Sequence, residues 1–90
     1  WGYFDHCYVL NRGKGNSQVP DAAIYAESRG ITMELYTSEP ALQVYNGNPV
    51  GVCLESQMYP CAPNYPEFPS AFVKAGEKRT WKNSLKFIVR

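Results

Sequence analysis

The chain contains 90 residues with a mass of 10.2 kDa, and its 44% hydrophobic and 19% charged residues fit one small globular domain and exclude an intrinsically disordered chain. A domain of this length buries only about 60 to 65% of its unfolded surface, so the core is limited. Nine Lys and Arg against eight Asp and Glu give a net charge of +1, which argues against nucleic acid or an anionic membrane surface as a partner.

The first third of the chain combines a strand candidate with an ambiguous segment. Residues 8–10 form a short strand candidate, and residues 11–16 have the glycines and asparagines of a turn. Residues 21–29 begin with the helix-capping residue Asp21, contain three alanines and stop at Gly30, which predicts a short helix. A strand over residues 22–27 is the competing interpretation, because periodicity does not decide so short a run.

The clearest strand pattern covers residues 31–37. Apolar side chains at Ile31, Met33 and Leu35 share one face, and β-branched and aromatic residues occur throughout the segment. Residues 42–45 form a shorter candidate. The Asn-Gly-Asn-Pro sequence at residues 46–49 predicts the turn that follows it.

Residues 52–57 also alternate, and this strand carries a candidate catalytic side chain. Glu55 lies beside Gln57 on the face away from Val52 and Leu54. Partial burial in this apolar strand would suit the Glu55 carboxylate to proton transfer. A carboxylate on a solvated sheet face is the alternative interpretation, and the pattern alone leaves both open.

Prolines recur at every third position from Pro60 to Pro69, which is the period of a polyproline II helix. A ligand for an aromatic-groove domain, and hence a proline-loop interaction module, is one interpretation. The stretch lies between predicted strands and carries its own aromatic residues. We therefore expect an ordered, extended loop packed on the body of the domain.

The last part of the chain predicts one further clear strand. Residues 72–74 are a short candidate, residues 75–76 predict a turn, and residues 85–90 alternate with Phe87 at the centre of an apolar face. The predicted elements describe one all-β domain. No apolar run approaches the roughly 20 residues that span a bilayer, and the start carries no basic-then-apolar segment, so we expect neither a membrane span nor export.

Cys7, Cys53 and Cys61 form an odd set, which excludes a framework of several disulfides and favours reduced thiols in a cytoplasmic protein. Together with His6 they could form a Cys3His zinc site, but their spacing lacks the close ligand pair of such sites. Buried thiols that act as small hydrophobic side chains are the preferred interpretation.

Two other motifs have simple structural interpretations. Asp5 and His6 are adjacent in a strand and therefore point to opposite faces, so they cannot easily serve one substrate, and we expect His6 to be an ordinary hydrogen-bonded histidine. Gly13-Lys14-Gly15 resembles part of a phosphate loop but lacks the full spacing and the following Ser or Thr. A hairpin turn explains that segment.

Three ordered motifs carry a resemblance to a known family. They are FDHCYVL at residues 4–10, ELYTSEPALQVYNGN at residues 34–48, and CLESQ at residues 53–57 followed by residues 60–70. In this order they look like the C-terminal part of an aldose 1-epimerase, the galactose mutarotase family. The likeness covers nearly the whole chain, and residues 74–77 and 85–87 resemble the last turn and last strand of that family.

The resemblance implies a β-sandwich with an open sugar-binding cleft and a cofactor-free reaction at the anomeric carbon of a hexose such as galactose or glucose. By similarity, Glu55 would be the general base that takes the proton from the O1 hydroxyl. Asp5 and Gln43 match the positions that hydrogen-bond sugar hydroxyls. A carboxylate can accept such bonds, and an amide can both donate and accept them. The implied activity is that of an isomerase of carbohydrate metabolism.

The resemblance also implies that part of the site lies elsewhere. The family places its catalytic histidine, a second substrate histidine and an arginine before the region matched here, and His6 matches the residue after the binding aspartate instead. Residues 1–90 would then form a C-terminal segment that is incomplete alone and inactive, with the N-terminal part of the same fold as its partner, in the same chain or another. A non-catalytic sugar-binding or structural β module related to the mutarotases is the alternative.

The connection between the two central strands departs from the family pattern. Family members usually place a longer excursion before the CLE strand, whereas only residues 48–52 remain here. A trimmed loop would alter the rim of the cleft and the substrate specificity, and residues left out of the sequence would give the same appearance. The strands could still pair.

Overall fold

The computed structural model describes residues 3–11, 19–47 and 49–89, and this part of the chain folds into six β-strands and two short 3-10 helices. The all-β prediction is therefore confirmed. The strands are β1 (Asp5–Val9), β2 (Ala22–Ala26), β3 (Ile31–Thr37), β4 (Ala41–Tyr45), β5 (Cys53–Gln57) and β6 (Asn83–Val89). The 3-10 helices cover Glu27–Arg29 and Ala62–Asn64.

The strands form two three-stranded antiparallel sheets with the orders β1-β4-β5 and β2-β3-β6. In the second sheet, Met33 of β3 is opposite Ile24 of β2 on one side and Phe87 of β6 on the other. In the first sheet, β4 is the central strand and β1 and β5 are its edges. This architecture is consistent with a fragment of a β-sandwich.

The core lies where β3 runs into β4. Leu35, Ala41 and Leu42 are buried there, and so is the polar side chain of Thr37. Asn83 ties the two sheets together because its Oδ1 accepts hydrogen bonds from Thr37 Oγ1 at 2.6 Å and from Ser56 Oγ at 2.8 Å. Few residues are buried elsewhere, as expected for a chain of this length.

One face of the second sheet is apolar, and among the described residues its β6 side is exposed. Leu85, Phe87 and Val89 alternate along β6 as predicted, but they are 53%, 63% and 78% exposed. They are opposite Leu35, Met33 and Ile31 of β3 and so lie on the same face. Such alternation is typical of a strand with one face against a core, but within residues 3–11, 19–47 and 49–89 nothing covers the side chains of Leu85, Phe87 and Val89. A contiguous apolar face of this kind is typical of an interaction surface.

The segment of residues 21–29 is a strand followed by a single 3-10 turn, so the helix prediction is wrong and the strand alternative is correct. Pairing with β3 from Ala22 to Ala26 satisfies the backbone of this segment and overrides the local preference for helix. Gly30 then adopts φ 62°, a left-handed conformation that favours glycine. Residues 72–74, a strand candidate in the sequence, lie outside the strands.

The proline-rich loop is ordered but compact, so the expected extended form is wrong. Successive turns close it, with backbone hydrogen bonds such as Ala62 N to Tyr59 O at 3.2 Å and Phe68 N to Tyr65 O at 3.0 Å. The ring of Phe68 lies 5.0 Å from those of Tyr59 and Tyr65. Because polyproline II has no internal hydrogen bonds, this geometry disfavours a polyproline ligand.

Three further sequence predictions concern a turn, a membrane span and the connection between β4 and β5. The predicted turn at residues 11–16 and the Gly13-Lys14-Gly15 motif lie almost entirely outside the described residues. Over residues 3–11, 19–47 and 49–89, the structure contains no helix that is long and apolar enough to cross a membrane. The connection between β4 and β5 is short, and the two strands nevertheless pair along their whole length.

Candidate functional site

The three sequence-predicted site residues lie on one face of the first sheet. Gln43, at the centre of β4, is opposite Cys7 of β1 on one side and Glu55 of β5 on the other. Asp5 precedes Cys7 by two positions and therefore shares its face. Glu55 is directly opposite Gln43, a relation that brings Cβ atoms to within about 4.5 to 5.5 Å, and Asp5 is the diagonal neighbour of Gln43 on the other strand, so Gln43 lies between the two carboxylates.

Asp5 and Gln43 are in direct contact. Gln43 Nε2 donates a hydrogen bond to Asp5 Oδ1 at 2.7 Å. The bond fixes the amide orientation and leaves Asp5 Oδ2 and Gln43 Oε1 as acceptors directed away from this contact. A hydroxyl-rich ligand would find a preformed pair of acceptors here.

Glu55 lies on the edge strand β5 and is exposed, which agrees with a carboxylate on a solvated sheet face and not with partial burial. The reason is topological, because no strand among the described residues covers the outer side of β5 or the face that carries Glu55. Its position opposite Gln43 is nevertheless fixed by the strand register. The carboxylate is therefore accessible to a ligand bound at Asp5 and Gln43.

His6 lies on the opposite face of the sheet, as predicted. Its Nδ1 accepts a hydrogen bond from the backbone N–H of Asp5 at 3.2 Å, and its ring lies near those of Phe4 and Tyr8. The interpretation of His6 as an ordinary hydrogen-bonded histidine agrees with this environment. His6 cannot reach a ligand on the Glu55 face without crossing the sheet.

Sequence reasoning missed several residues on the same face. Gln57 Nε2 donates to Cys7 Sγ at 3.6 Å, a contact between the two edge strands across β4. Burial raises the pKa of the Cys7 thiol above its ordinary value, and the hydrogen bond from Gln57 offsets part of this rise. Tyr45 is opposite Asp5. Counting in steps of two from Asp5 and Gln43 along their strands could have found Cys7 and Tyr45.

The cysteines behave in two different ways. Cys7 is half-buried and Cys61 is exposed, and both are free thiols. The interpretation of all three as buried small side chains is therefore wrong for Cys61, which precedes the second 3-10 helix with φ 60°.

In the described part of the chain, no group of three or more His, Cys, Asp or Glu side chains is arranged to hold a metal ion.

A second polar cluster lies at the junction of the sheets. Glu39 is only 2% exposed, and Arg79 donates from Nη2 to both of its carboxylate oxygens, at 2.7 and 2.9 Å. Arg79 also stacks over the ring of Trp81 at 4.5 Å. The two charges line a cavity of about 340 Å³ together with Ser38 and Tyr59. Since Glu39 and Arg79 satisfy each other, this cluster is structural.

Comparison with known proteins relates nearly the whole chain to one family. A family model described as aldose 1-epimerase matches residues 2–86. The aldose 1-epimerase of Escherichia coli (strain K12) is 29% identical over 102 residues, which cover 94% of this chain and 29% of that protein. The galactose mutarotase of Sus scrofa is 33% identical over 97 residues, which cover 87% of this chain and 28% of that protein.

The galactose mutarotase of Homo sapiens is 30% identical over 102 residues, which cover 96% of this chain. The chain spans about 29% of the length of these curated relatives. The aligned region of 102 residues is also longer than the 90 residues of this chain, so the relatives contain residues within it that this chain lacks.

Proposed function

This chain belongs to the aldose 1-epimerase family, and on that basis we propose that it contributes the general base and two sugar-binding residues to the interconversion of the α and β anomers of a hexose such as galactose or glucose. The observation that carries this proposal is the strand register that puts Asp5, Gln43 and Glu55 on one open face. A sugar bound on this face would meet polar side chains from three strands.

In the proposed reaction, the Glu55 carboxylate removes the proton from the O1 hydroxyl of the closed sugar. The C1–O5 bond breaks as an acid protonates the ring oxygen, rotation about C1–C2 exposes the other carbonyl face, and the ring closes again with the protons returned. Glu55 must approach O1 to roughly 2.6 to 3.2 Å in the complex. Its exposure in this structure gives the sugar access to it. The reaction needs no cofactor.

Asp5 and Gln43 would hold the sugar in register with Glu55. The 2.7 Å bond between them fixes both side chains before the sugar arrives. Their remaining oxygens accept hydrogen bonds from sugar hydroxyls, and the second amide proton of Gln43 can donate one. Holding a substrate in reactive geometry by preformed groups lowers the entropic part of the barrier.

The acid that serves the ring oxygen is proposed to come from polypeptide outside this sequence. His6 is the one histidine of the chain and lies on the other face of the sheet. The same polypeptide, in one chain with these residues or as a separate chain, would cover the apolar face around Phe87. The isolated 90 residues are then inactive. The free thiols of Cys7 and Cys61 support a cytoplasmic location.

The alternative is a non-catalytic sugar-binding or structural β module related to the mutarotases. The observation in its favour is that no histidine accompanies Glu55 on its face within the described residues. Under this alternative, Asp5 and Gln43 bind a sugar that is not turned over, or serve only the fold.

Mutarotation of galactose, followed by polarimetry in the molecule that contains this chain and its proposed partner segment, separates the two. Glu55→Gln should lower the rate by about 10²- to 10⁴-fold, because a positioned general base contributes this much. Glu27→Gln, an exposed carboxylate of the first 3-10 helix, is the matched control and should leave the rate unchanged. Equal rates for the Glu55→Gln form and the parent remove Glu55 from the mechanism. Galactose binding without any turnover in the parent favours the alternative.

A further inference from the structure

Two tyrosine rings lie on the same face of the first sheet as Asp5, Gln43 and Glu55. Tyr45 is directly opposite Asp5 and follows Gln43 by two positions, so its side chain lies on the face of both. The ring of Tyr3 lies 6.1 Å from that of Tyr45 with an angle of 86° between their planes. This edge-to-face geometry is a favoured one for aromatic pairs.

The position of these rings depends on the turn after β4. Asn46 N donates to Phe4 O at 3.0 Å and the side chain of Asn46 accepts from Phe4 N, which continues the pairing of the two strands beyond β1. A Cβ atom at Gly47 would lie 2.6 Å from Tyr45 Cε1 and 2.7 Å from Tyr45 Oη. The missing side chain therefore lets both rings close over the turn next to Asp5.

Despite this contact, Tyr3 remains 67% exposed, so an aromatic surface stays open beside two hydrogen-bonding side chains. Small-molecule sites commonly combine aromatic walls with a few placed polar groups. A pyranose matches this combination, because its hydroxyls form a polar rim and its C–H bonds form apolar patches. The hydroxyls suit Asp5 and Gln43, and the C–H patch suits the tyrosines.

We propose that Tyr3 and Tyr45 form an aromatic wall of the sugar site that contacts the C–H face of the hexose and favours a sugar with an axial 4-hydroxyl over one with an equatorial 4-hydroxyl. An axial O4 leaves the hydrogens of C3, C4 and C5 on one side as a continuous apolar patch. An equatorial O4 breaks this patch. The inference rests on the proposed function, and it adds the groups that select the substrate.

The test uses steady-state mutarotation of galactose and glucose by the molecule that contains this chain. Tyr3→Leu should raise KM for galactose by about tenfold and change kcat by less than about twofold, because an aromatic contact contributes to binding on this order. The preference for galactose over glucose should fall with it. Tyr3→Phe keeps the ring and should restore both values.

Tyr8→Leu is the matched control, since Tyr8 is also a half-exposed tyrosine of the β1 region but lies on the opposite face. It should leave KM and the sugar preference unchanged. An unchanged KM and preference in Tyr3→Leu overturns the aromatic wall while a loss of rate in Glu55→Gln still supports the catalytic proposal. If the parent binds galactose without turning it over, calorimetric titration with galactose replaces kinetics, and equal affinity of Tyr3→Leu and the parent overturns the wall.

Discussion

Gln43 Nε2 lies 2.7 Å from Asp5 Oδ1, and this hydrogen bond joins side chains of two strands that are 38 residues apart in the sequence. The bond runs across the face that also carries Glu55. It therefore connects the fold of the first sheet directly to the proposed sugar site. A substitution at Gln43 therefore removes the bond that orients the Asp5 carboxylate and also removes the amide proposed to bind the sugar.

Gln43→Leu should weaken galactose binding by about tenfold or more, because a hydrogen bond to a charged group contributes about 1.5 to 3 kcal/mol. Since Gln43 is proposed to bind and not to transfer protons, kcat should change much less than KM. Steady-state kinetics in the molecule that contains this chain measures both. A fall in kcat with an unchanged KM would contradict a binding role.

Gly47→Ala should destabilise the protein by about 1 to 3 kcal/mol, the usual cost of inserting a methyl group into a filled space. The new Cβ would meet the rings of Tyr45 and Tyr3. Gly51→Ala is the matched control in the same connection, since a Cβ there has nothing within 4 Å. Thermal unfolding measures both variants, and equal stability of the two would contradict the packing of the tyrosines over Gly47.

Arg79→Met should destabilise the protein by about 2 to 4 kcal/mol, because it leaves the buried Glu39 carboxylate without its partner. Adding Glu39→Gln should recover part of this loss, since the double variant buries no charge. Lys86→Met, which removes an exposed cation from β6, serves as the control and should change little. Chemical denaturation gives the free energies of unfolding, and a double variant less stable than Arg79→Met would contradict this explanation.

Phe87→Lys should reduce self-association of the isolated 90-residue chain, because it places a charge on the uncovered apolar face of the second sheet. Tyr25→Lys is the matched control, since Tyr25 is 55% exposed on the opposite face of that sheet. Analytical ultracentrifugation measures the association of both. In the molecule that includes the proposed partner segment, Phe87→Lys should instead lower stability, and an unchanged stability there would show that nothing covers this face.

Much of the fold follows from alternation that can be read directly. The strands around residues 31–37, 52–57 and 85–90 are predicted because apolar and polar side chains alternate along them, as in a sheet with one apolar and one polar face. For residues 21–29 the sequence predicts a helix and leaves a strand as the alternative, since capping and alanines favour a helix locally and only pairing with β3 reverses that preference. The pattern of residues 52–57 also leaves the burial of Glu55 open, because burial depends on which strands lie alongside β5.

The sequence by itself determined the strands at residues 31–37, 52–57 and 85–90, the face on which each of their side chains lies, and the motifs of the aldose 1-epimerase family. These features are local, since they depend on residue type and on neighbours along the chain. Only the tertiary structure decided that β4 stands between β1 and β5, and hence that Asp5, Gln43, Tyr45 and Glu55 share one open surface. The physical reason is that register between strands is set by contacts between residues distant in sequence, which no local pattern contains.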